Sequence, residues 1–189
     1  MLFNLPALTL DEQREERRNT INERCEEVAK YVNGKNPAIV WCHLNAEGDL
    51  LEKIIPNAKQ VRGSNTDEEK EEIFLAFTKG ELPVLVTKPK IGAWGMNWQH
   101  CSEMVMFPSH SFESYYQSIR RCWRFGQTKS VNVRIVTTDG EAGVVGNMRR
   151  KSDAADKMFD MIVAEMKNIL QIKRSEERTL EMQIPGWLA

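Results

Sequence analysis

The chain has 189 residues, of which 28% are charged and 41% hydrophobic, and its formal net charge is −1. That length suits about one domain with a sizeable core, and the composition is ordinary for a water-soluble globular protein. No apolar run reaches the roughly 18 residues of a membrane span and no secretory pattern is present, so the expectation is a cytoplasmic protein without a membrane partner.

The near-zero net charge gives no global basic footprint, and nucleic-acid contacts must come from local patches. Cys25, Cys42, Cys101 and Cys122 form no CxxC pair, and none sits at metal-ligand spacing from His43, His100 or His110. Buried thiols in a reducing compartment are expected, and no metal site.

In chain order, residues 10–32 are dense in Glu and Arg with Ile21, Cys25, Val28 and Val32 at helical spacing, which predicts one helix stopped by Gly34 and Pro37. Ala38 to His43 (AIVWCH) reads as a buried strand. A helix from Ala46 to Ile55 follows, then a second strand over Lys59 to Arg62. Thr66 and Glu69 form a capping box that opens a helix with Ile73, Phe74 and Phe77 inward, and Gly80 closes it.

Three more strands are predicted at Pro83 to Thr87, Glu103 to Phe107 and Val131 to Thr137, with a helix over Ser111 to Gln127 before the last. Residues 139–171 read as a long helical segment with Met158, Ile162, Met166 and Ile169 at helical spacing. Strands alternating with helices predict an α/β fold, a three-layer sandwich with a mostly parallel central sheet and flanking N- and C-terminal helices. The expected division is an N-terminal helical extension over 1–36 packed on the domain, a core over 37–138, and a C-terminal helical extension and tail over 139–189.

In such sheets ligands gather beyond the carboxyl ends of the strands. Two strand-loop-helix junctions, His43-Leu44-Asn45 and Gly63-Ser64-Asn65-Thr66, offer backbone N–H groups at a helix start, where a phosphate is favoured. The same residue types also serve for capping alone. A third loop, Thr87 to Asn97 (TKPKIGAWGMN), adds Lys88 and Lys90, while Gly92 and Gly95 let the backbone approach a ligand.

The sharpest pattern is SFESYYQSIRRCWRFGQ at 111–127. Gln117, Arg121 and Arg124 repeat at i, i+4 and i+7, so a continuous helix would hold all three within roughly 60° on one face. A cationic helix face is commonly just solvated. Two guanidinium groups side by side repel, however, and a nucleotide triphosphate in front of them gives the pair a purpose.

The succession of KIGAWGMN, EMVMF and QSIRRCWRFGQ resembles the second RecA-like domain of a superfamily 2 helicase of the Swi/Snf type over roughly residues 38–137. Lys90, Gly92, Gly95 and Asn97 match its fifth motif; Gln117, Arg121, Arg124, Gly126 and Gln127 match its sixth. Ala93, Trp94 and Trp98 depart from the usual fifth motif. The charged N-terminal helix, the long C-terminal helix and the IPGWL ending (Ile184 to Leu188) resemble phage-encoded members.

The resemblance implies that Arg121 and Arg124 meet the β and γ phosphates of ATP, with Arg124 as arginine finger, and that Gln117 links the phosphate end to the partner domain. Gly95 and Asn97 would approach the nucleotide. His43, Asn45, Ser64, Thr87, Lys88 and Lys90 would contact the nucleic-acid backbone, in double-stranded DNA by preference.

The 189 residues contain no G-x-x-x-x-G-K-[ST] phosphate loop and no D-E-x-[HD] acidic strand. The expectation is therefore half of a motor, whose ATP and Mg2+ are held mainly by an N-terminal RecA-like ATPase domain in the same protein or a separate subunit. This chain alone would neither hold nor hydrolyse ATP, and Gln117, Arg121 and Arg124 would stand exposed. The alternatives are a non-catalytic helicase-like binding module and an unrelated nucleotide-binding α/β domain.

Overall fold

A computed structural model of the chain describes residues 9–92 and 95–177. Five strands form one sheet: β1 (Ala38–Trp41), β2 (Ala58–Gln60), β3 (Val84–Thr87), β4 (Glu103–Met106) and β5 (Asn132–Ile135). Their order is β2-β3-β1-β4-β5, and every neighbouring pair is parallel. Ala38 stands opposite both Val84 and Glu103, so β1 is the centre of the sheet.

The apolar runs become strands because both faces of the sheet are buried. Side chains alternate between the faces along each strand. Ala38, Val40, Val84, Val86 and Val105 join Cys25, Val28, Leu51 and Ile55 on one face. Ile39, Trp41, Leu85, Met104 and Met106 join Phe74, Phe77, Trp98 and Cys122 on the other. The three-layer α/β sandwich expected from the sequence is the observed fold.

The helices are α1 (Leu10–Asn19), α2 (Ile21–Tyr31), α3 (Asn45–Ile54), α4 (Asp67–Lys79), a single turn α5 (Pro89–Gly92), α6 (Phe112–Ile119) and α7 (Ala142–Glu177), with a 3₁₀ turn at Asp139–Glu141. The single helix expected over 10–32 is two. Thr20 turns its hydroxyl back onto the Glu16 carbonyl at 2.7 Å and leaves the helical region at ψ 14°. Apolar spacing begins only after this break, and it is α2 that buries Cys25 and Val28. At Gly34 a positive φ of 73° combines with a backbone approach so close that an added Cβ would lie 2.1 Å from the Pro56 carbonyl oxygen.

All four cysteines are free and buried, and burial pushes the Cys25 and Cys42 thiols up to about 12. The chain groups into two units, 1–148 and 149–189. Glu141, Val144 and Met148 are buried in the first. In the second, Met158, Phe159, Met161, Ile162 and Met166 are exposed along α7. The side chain of Ile169, the pair Ala93 and Trp94, and the IPGWL ending lie outside the described residues. Among the described residues, no helix is long and apolar enough to cross a membrane.

Candidate nucleotide and nucleic-acid face

Because the sheet is parallel, the loops after β1, β2 and β3 leave from one edge of it. In the first, the two amides expected to be free are taken. His43 N and Leu44 N donate to Glu47 Oε2 at 2.8 and 2.9 Å. The His43 ring turns inward, with Nε2 3.1 Å from the Phe107 carbonyl oxygen, and burial holds its pKa below the usual value. Asn45 is exposed, and Lys88 Nζ donates to its Oδ1 at 2.5 Å, which joins this loop to the one after β3.

The loop after β2 is closed in the same way. Glu69 N donates to Thr66 Oγ1 at 3.2 Å and Thr66 N returns a bond to Glu69 Oε2 at 3.0 Å, forming the capping box read from the sequence. Asn65 Nδ2 also reaches Glu69 at 2.9 Å, and these bonds, Asn65 first, lower the Glu69 pKa. A phosphate at either helix start would have to displace a carboxylate, so anion contacts here fall to side chains. Ser64 and Thr66 are exposed in this loop, and the Thr66 hydroxyl is taken by the cap.

The loop after β3 divides its candidates. Thr87 is fully buried and its hydroxyl donates to the Val61 carbonyl at 3.4 Å, so its side chain presents nothing to the surface. Lys90 is exposed on α5. Gly92 is needed for packing rather than for ligand approach: a Cβ there would meet Thr87 Cγ2 at 2.8 Å and the Trp41 ring at 3.3 Å. Gly95 does adopt the left-handed conformation, at φ 80°, and Gly95 and Asn97 are both exposed.

The arginine segment departs most from expectation. Ser111 Oγ caps α6 by accepting from Ser114 N at 3.2 Å, but the helix ends at Ile119 instead of running to Gln127. Past Ile119 the ladder tightens to i→i−3 bonds, Arg121 N to the Ser118 carbonyl at 3.2 Å and Cys122 N to the Ile119 carbonyl at 3.1 Å, and the Arg121 carbonyl, which a continuing helix would offer to Phe125 N, accepts from Trp98 N at 2.9 Å. Arg121 and Arg124 therefore lie in a turn, Arg120 to Gly126, that ends with Gly126 at φ 91°. The i, i+4, i+7 face is realised only for Gln117 and Arg121.

Arg121 is also far less exposed than expected, at 9%. Its Nη1 donates to the Met96 carbonyl at 2.9 Å, its Nε to the Gln117 carbonyl at 3.1 Å, and its Nη2 to Gln117 Oε1 at 3.3 Å. Burial, then the Arg124 and Arg120 charges, lower its pKa. Arg120 stacks near Tyr116 and Trp123, 5.8 and 5.4 Å from their ring centres. Arg124 is exposed. Among the described residues no carboxylate pairs with any of these three guanidinium groups.

Gln127 fixes the turn. Its Nε2 lies 2.8, 3.1 and 3.4 Å from the carbonyl oxygens of Gln99, Cys122 and Cys101, and the Gln99 side chain donates to the Phe125 carbonyl. Since Gln99 and Cys101 lead into β4, the arginine turn stands at the amino end of that strand. The structure thus brings Gln117 and Arg121 against the Gly95–Asn97 segment, and Asn45 against Lys88, as two separate groups.

The sequence reading missed Glu47, which occupies the third helical position but follows Leu44 rather than a Ser or Thr, so the usual capping signature is broken. It also missed the buried partner of Glu47, Arg24, at 2.8 Å. Among the described residues, no group of three or more His, Cys, Asp or Glu could hold a metal ion.

The model of the helicase conserved C-terminal domain matches residues 16–126. No curated protein shows significant sequence similarity to the chain. Among solved structures, the C-terminal part of the Fun30 ATPase domain aligns at 18% identity and TM-score 0.52, over 68% of this chain and 43% of that one. The present chain thus spans under half the length of that relative. The C-terminal domain of the DEAD-box protein Dbp5 aligns at 14% identity and TM-score 0.57, over 69% of this chain and 78% of that one. A variant Saccharomyces cerevisiae Dbp5 C-terminal domain, bound to a Gle1 variant and IP6, aligns at 14% identity and TM-score 0.59, over 70% and 80%. At these identities the structures speak for the fold, while the sequence model spans more than half of the chain. The protein belongs to the helicase conserved C-terminal domain family.

Proposed function

We propose that the chain is the C-terminal motor half of an ATP-dependent translocase of the Swi/Snf type, resembling phage-encoded members and acting on double-stranded DNA. The observation that carries this reading is the turn at Arg120 to Gly126, where among the described residues no carboxylate pairs with the inward Arg121 or with Arg120 and Arg124 beside it. Such a surface fits the phosphates of a nucleotide bound elsewhere.

In this reading Arg124 is the arginine finger and Arg121 is the inner phosphate ligand, oriented by Gln117 and the Met96 carbonyl. Gly95 and Asn97 line the approach. ATP with Mg2+ supplies the phosphoryl group and is held mainly by an N-terminal RecA-like partner domain carrying a phosphate loop. Phosphoryl transfer passes through a loose transition state, so this half needs to supply only position and positive charge. Arg124, brought across the cleft by domain closure, would be worth about 10³ to 10⁵ in rate.

Asn45, Ser64, Lys88 and Lys90 are the side chains placed to meet a DNA backbone, with His43 and Thr87 supporting them from behind. Closure and opening would move the loops at 43–45, 63–66 and 87–90 along the duplex. Phosphate contacts of this kind are sequence-tolerant and salt-sensitive. A cytoplasmic location accompanies this role.

The test is ATP turnover on duplex DNA by the protein carrying both domains. Arg124→Ala is expected to reduce turnover by about 10³-fold or more while DNA affinity is retained. Full turnover in that variant would remove the arginine finger from the account.

A further inference from the structure

We propose that Arg24 and Glu47 are positioning residues for DNA binding: the buried pair holds the 43–45 loop in the one conformation that offers Asn45 and Lys88 together to a phosphate. The inference rests on the reading of this loop as a nucleic-acid contact and adds the element that sets its shape.

Glu47 is fully buried and uses both carboxylate oxygens. Oε2 takes the amides of His43 and Leu44, and Oε1 takes Arg24 Nη2 at 2.8 Å. Arg24, 1% exposed at its side chain, comes from α2, so the clamp ties the helices ahead of the sheet to the loop after β1. Its remaining contacts are Nη2 to the Arg17 carbonyl at 2.5 Å, Nε to Thr20 Oγ1 at 3.1 Å, and the Phe107 ring, 4.5 Å below the guanidinium carbon. Among the described residues, Arg24 Nη1 has no hydrogen-bond partner.

Burying two charges to cap one loop is unfavourable unless they are paired and the geometry is kept. That cost fits a requirement for position, because the carboxylate takes the His43 and Leu44 amides, which an apolar pair filling the same space would leave unpaired. The neighbouring bonds follow the same plan. Arg17 donates to Glu141 Oε1 and to the Pro108 carbonyl, both at 2.9 Å, and Thr138 Oγ1 donates to Glu16 Oε1 at 3.1 Å. Helices α1 and α2 therefore hold the chain segments that leave β1, β4 and β5. The first of these carries an exposed polar contact bridged to a lysine, through Asn45 and Lys88.

Two double variants separate the clamp from the ion pair. Arg24→Met with Glu47→Gln removes both charges but keeps a carbonyl oxygen for the two amides; Arg24→Met with Glu47→Ala removes the acceptor as well. The readouts are amide hydrogen exchange at His43 and Leu44 and affinity of the full chain for a short duplex DNA of mixed sequence.

Relative to the Gln double, the Ala double variant is expected to exchange about tenfold faster at these two amides and to bind DNA about tenfold more weakly, the size of a lost hydrogen bond to a neutral carbonyl. Equal affinity and equal loop exchange in the two would overturn the proposal. Should the Ala double not fold, Glu47→Asp takes its place, because it keeps a charge for Arg24 on a side chain one methylene too short to reach both amides; unchanged exchange and affinity there would also overturn it. Lys88→Ala tests the underlying reading separately. It should weaken binding and lower the slope of log affinity against log salt by about one. No change in Lys88→Ala, with the exchange result intact, would refute the nucleic-acid reading and leave the clamp as a structural cap.

Discussion

The two ends of the sheet treat charge in opposite ways. At the carboxyl ends of β1 and β2, carboxylates close the helix starts: Glu47 takes two amides and Arg24, and Glu69 takes Thr66 and Asn65. At the amino end of β4, the turn from Arg120 to Gly126 gathers three guanidinium groups, and among the described residues no carboxylate pairs with them. A region that neutralises itself is built to hold a shape. A region that leaves like charges together, on a turn held by Gln127, is where the proposed function puts the anion.

The contrast is sharpest in the arginines, which should fall into a graded series when each is removed and folding stability is measured by denaturant unfolding. Arg24→Met leaves Glu47 buried without its counter-charge and is expected to cost about 3–5 kcal/mol. A loss under about 1 kcal/mol would break the comparison, since Arg24 would then be as dispensable as a surface charge. Arg121→Ala strands the Met96 carbonyl and the Gln117 side chain and should cost about 1–3 kcal/mol. Arg124→Ala, exposed and unpaired, should stay within about 0.5 kcal/mol of the parent.

A smaller effect concerns pH. Burial lowers the folded-state pKa of His43 below its unfolded value of about 6.5. A histidine depressed in this way contributes stability that is fully present above the unfolded pKa. That contribution is lost as pH falls from about 6.5 toward the folded pKa, because the unfolded chain then binds the extra proton. Thermal midpoints should decline over that window, and His43→Gln, whose amide can still donate to the Phe107 carbonyl, should flatten the decline. An unchanged pH profile in that variant would place the titration elsewhere, with His100, whose pKa burial also lowers, as the next group to replace.

Local chemistry was legible in the sequence and long-range chemistry was not. The runs AIVW, VLVT and EMVM announce strands because a sheet covered on both faces selects continuous apolar sequence. The Thr66 capping box and the αL Gly80 were readable for the same reason: cause and effect lie within one turn. The turn that follows α6 was not, because Trp98, which belongs to the preceding segment, holds it through the Arg121 carbonyl. Periodicity alone continues the helix through Arg124 and makes a flat cationic face of what is a bent turn with one arginine turned in and one left out.

The amides of the 43–45 loop, expected to be free, are taken, and this was hidden for a related reason. Sequence shows the donors at a helix start but not the carboxylate folded back over them. The buried thiols of Cys25 and Cys42 needed only the apolar pattern around them and were anticipated. Thr87 ends a buried strand, and that same pattern, applied to it, places its hydroxyl in the core.

The central claim is that this chain supplies one wall of a nucleotide site and that the other wall comes from a partner domain. Calorimetric titration of ATP with Mg2+ into the chain alone, and into the same chain joined to its phosphate-loop domain, tests it most directly. The account predicts no micromolar site in the chain alone and one stoichiometric site in the joined protein, weakened by Arg121→Ala. Stoichiometric micromolar binding by the chain alone would contradict it.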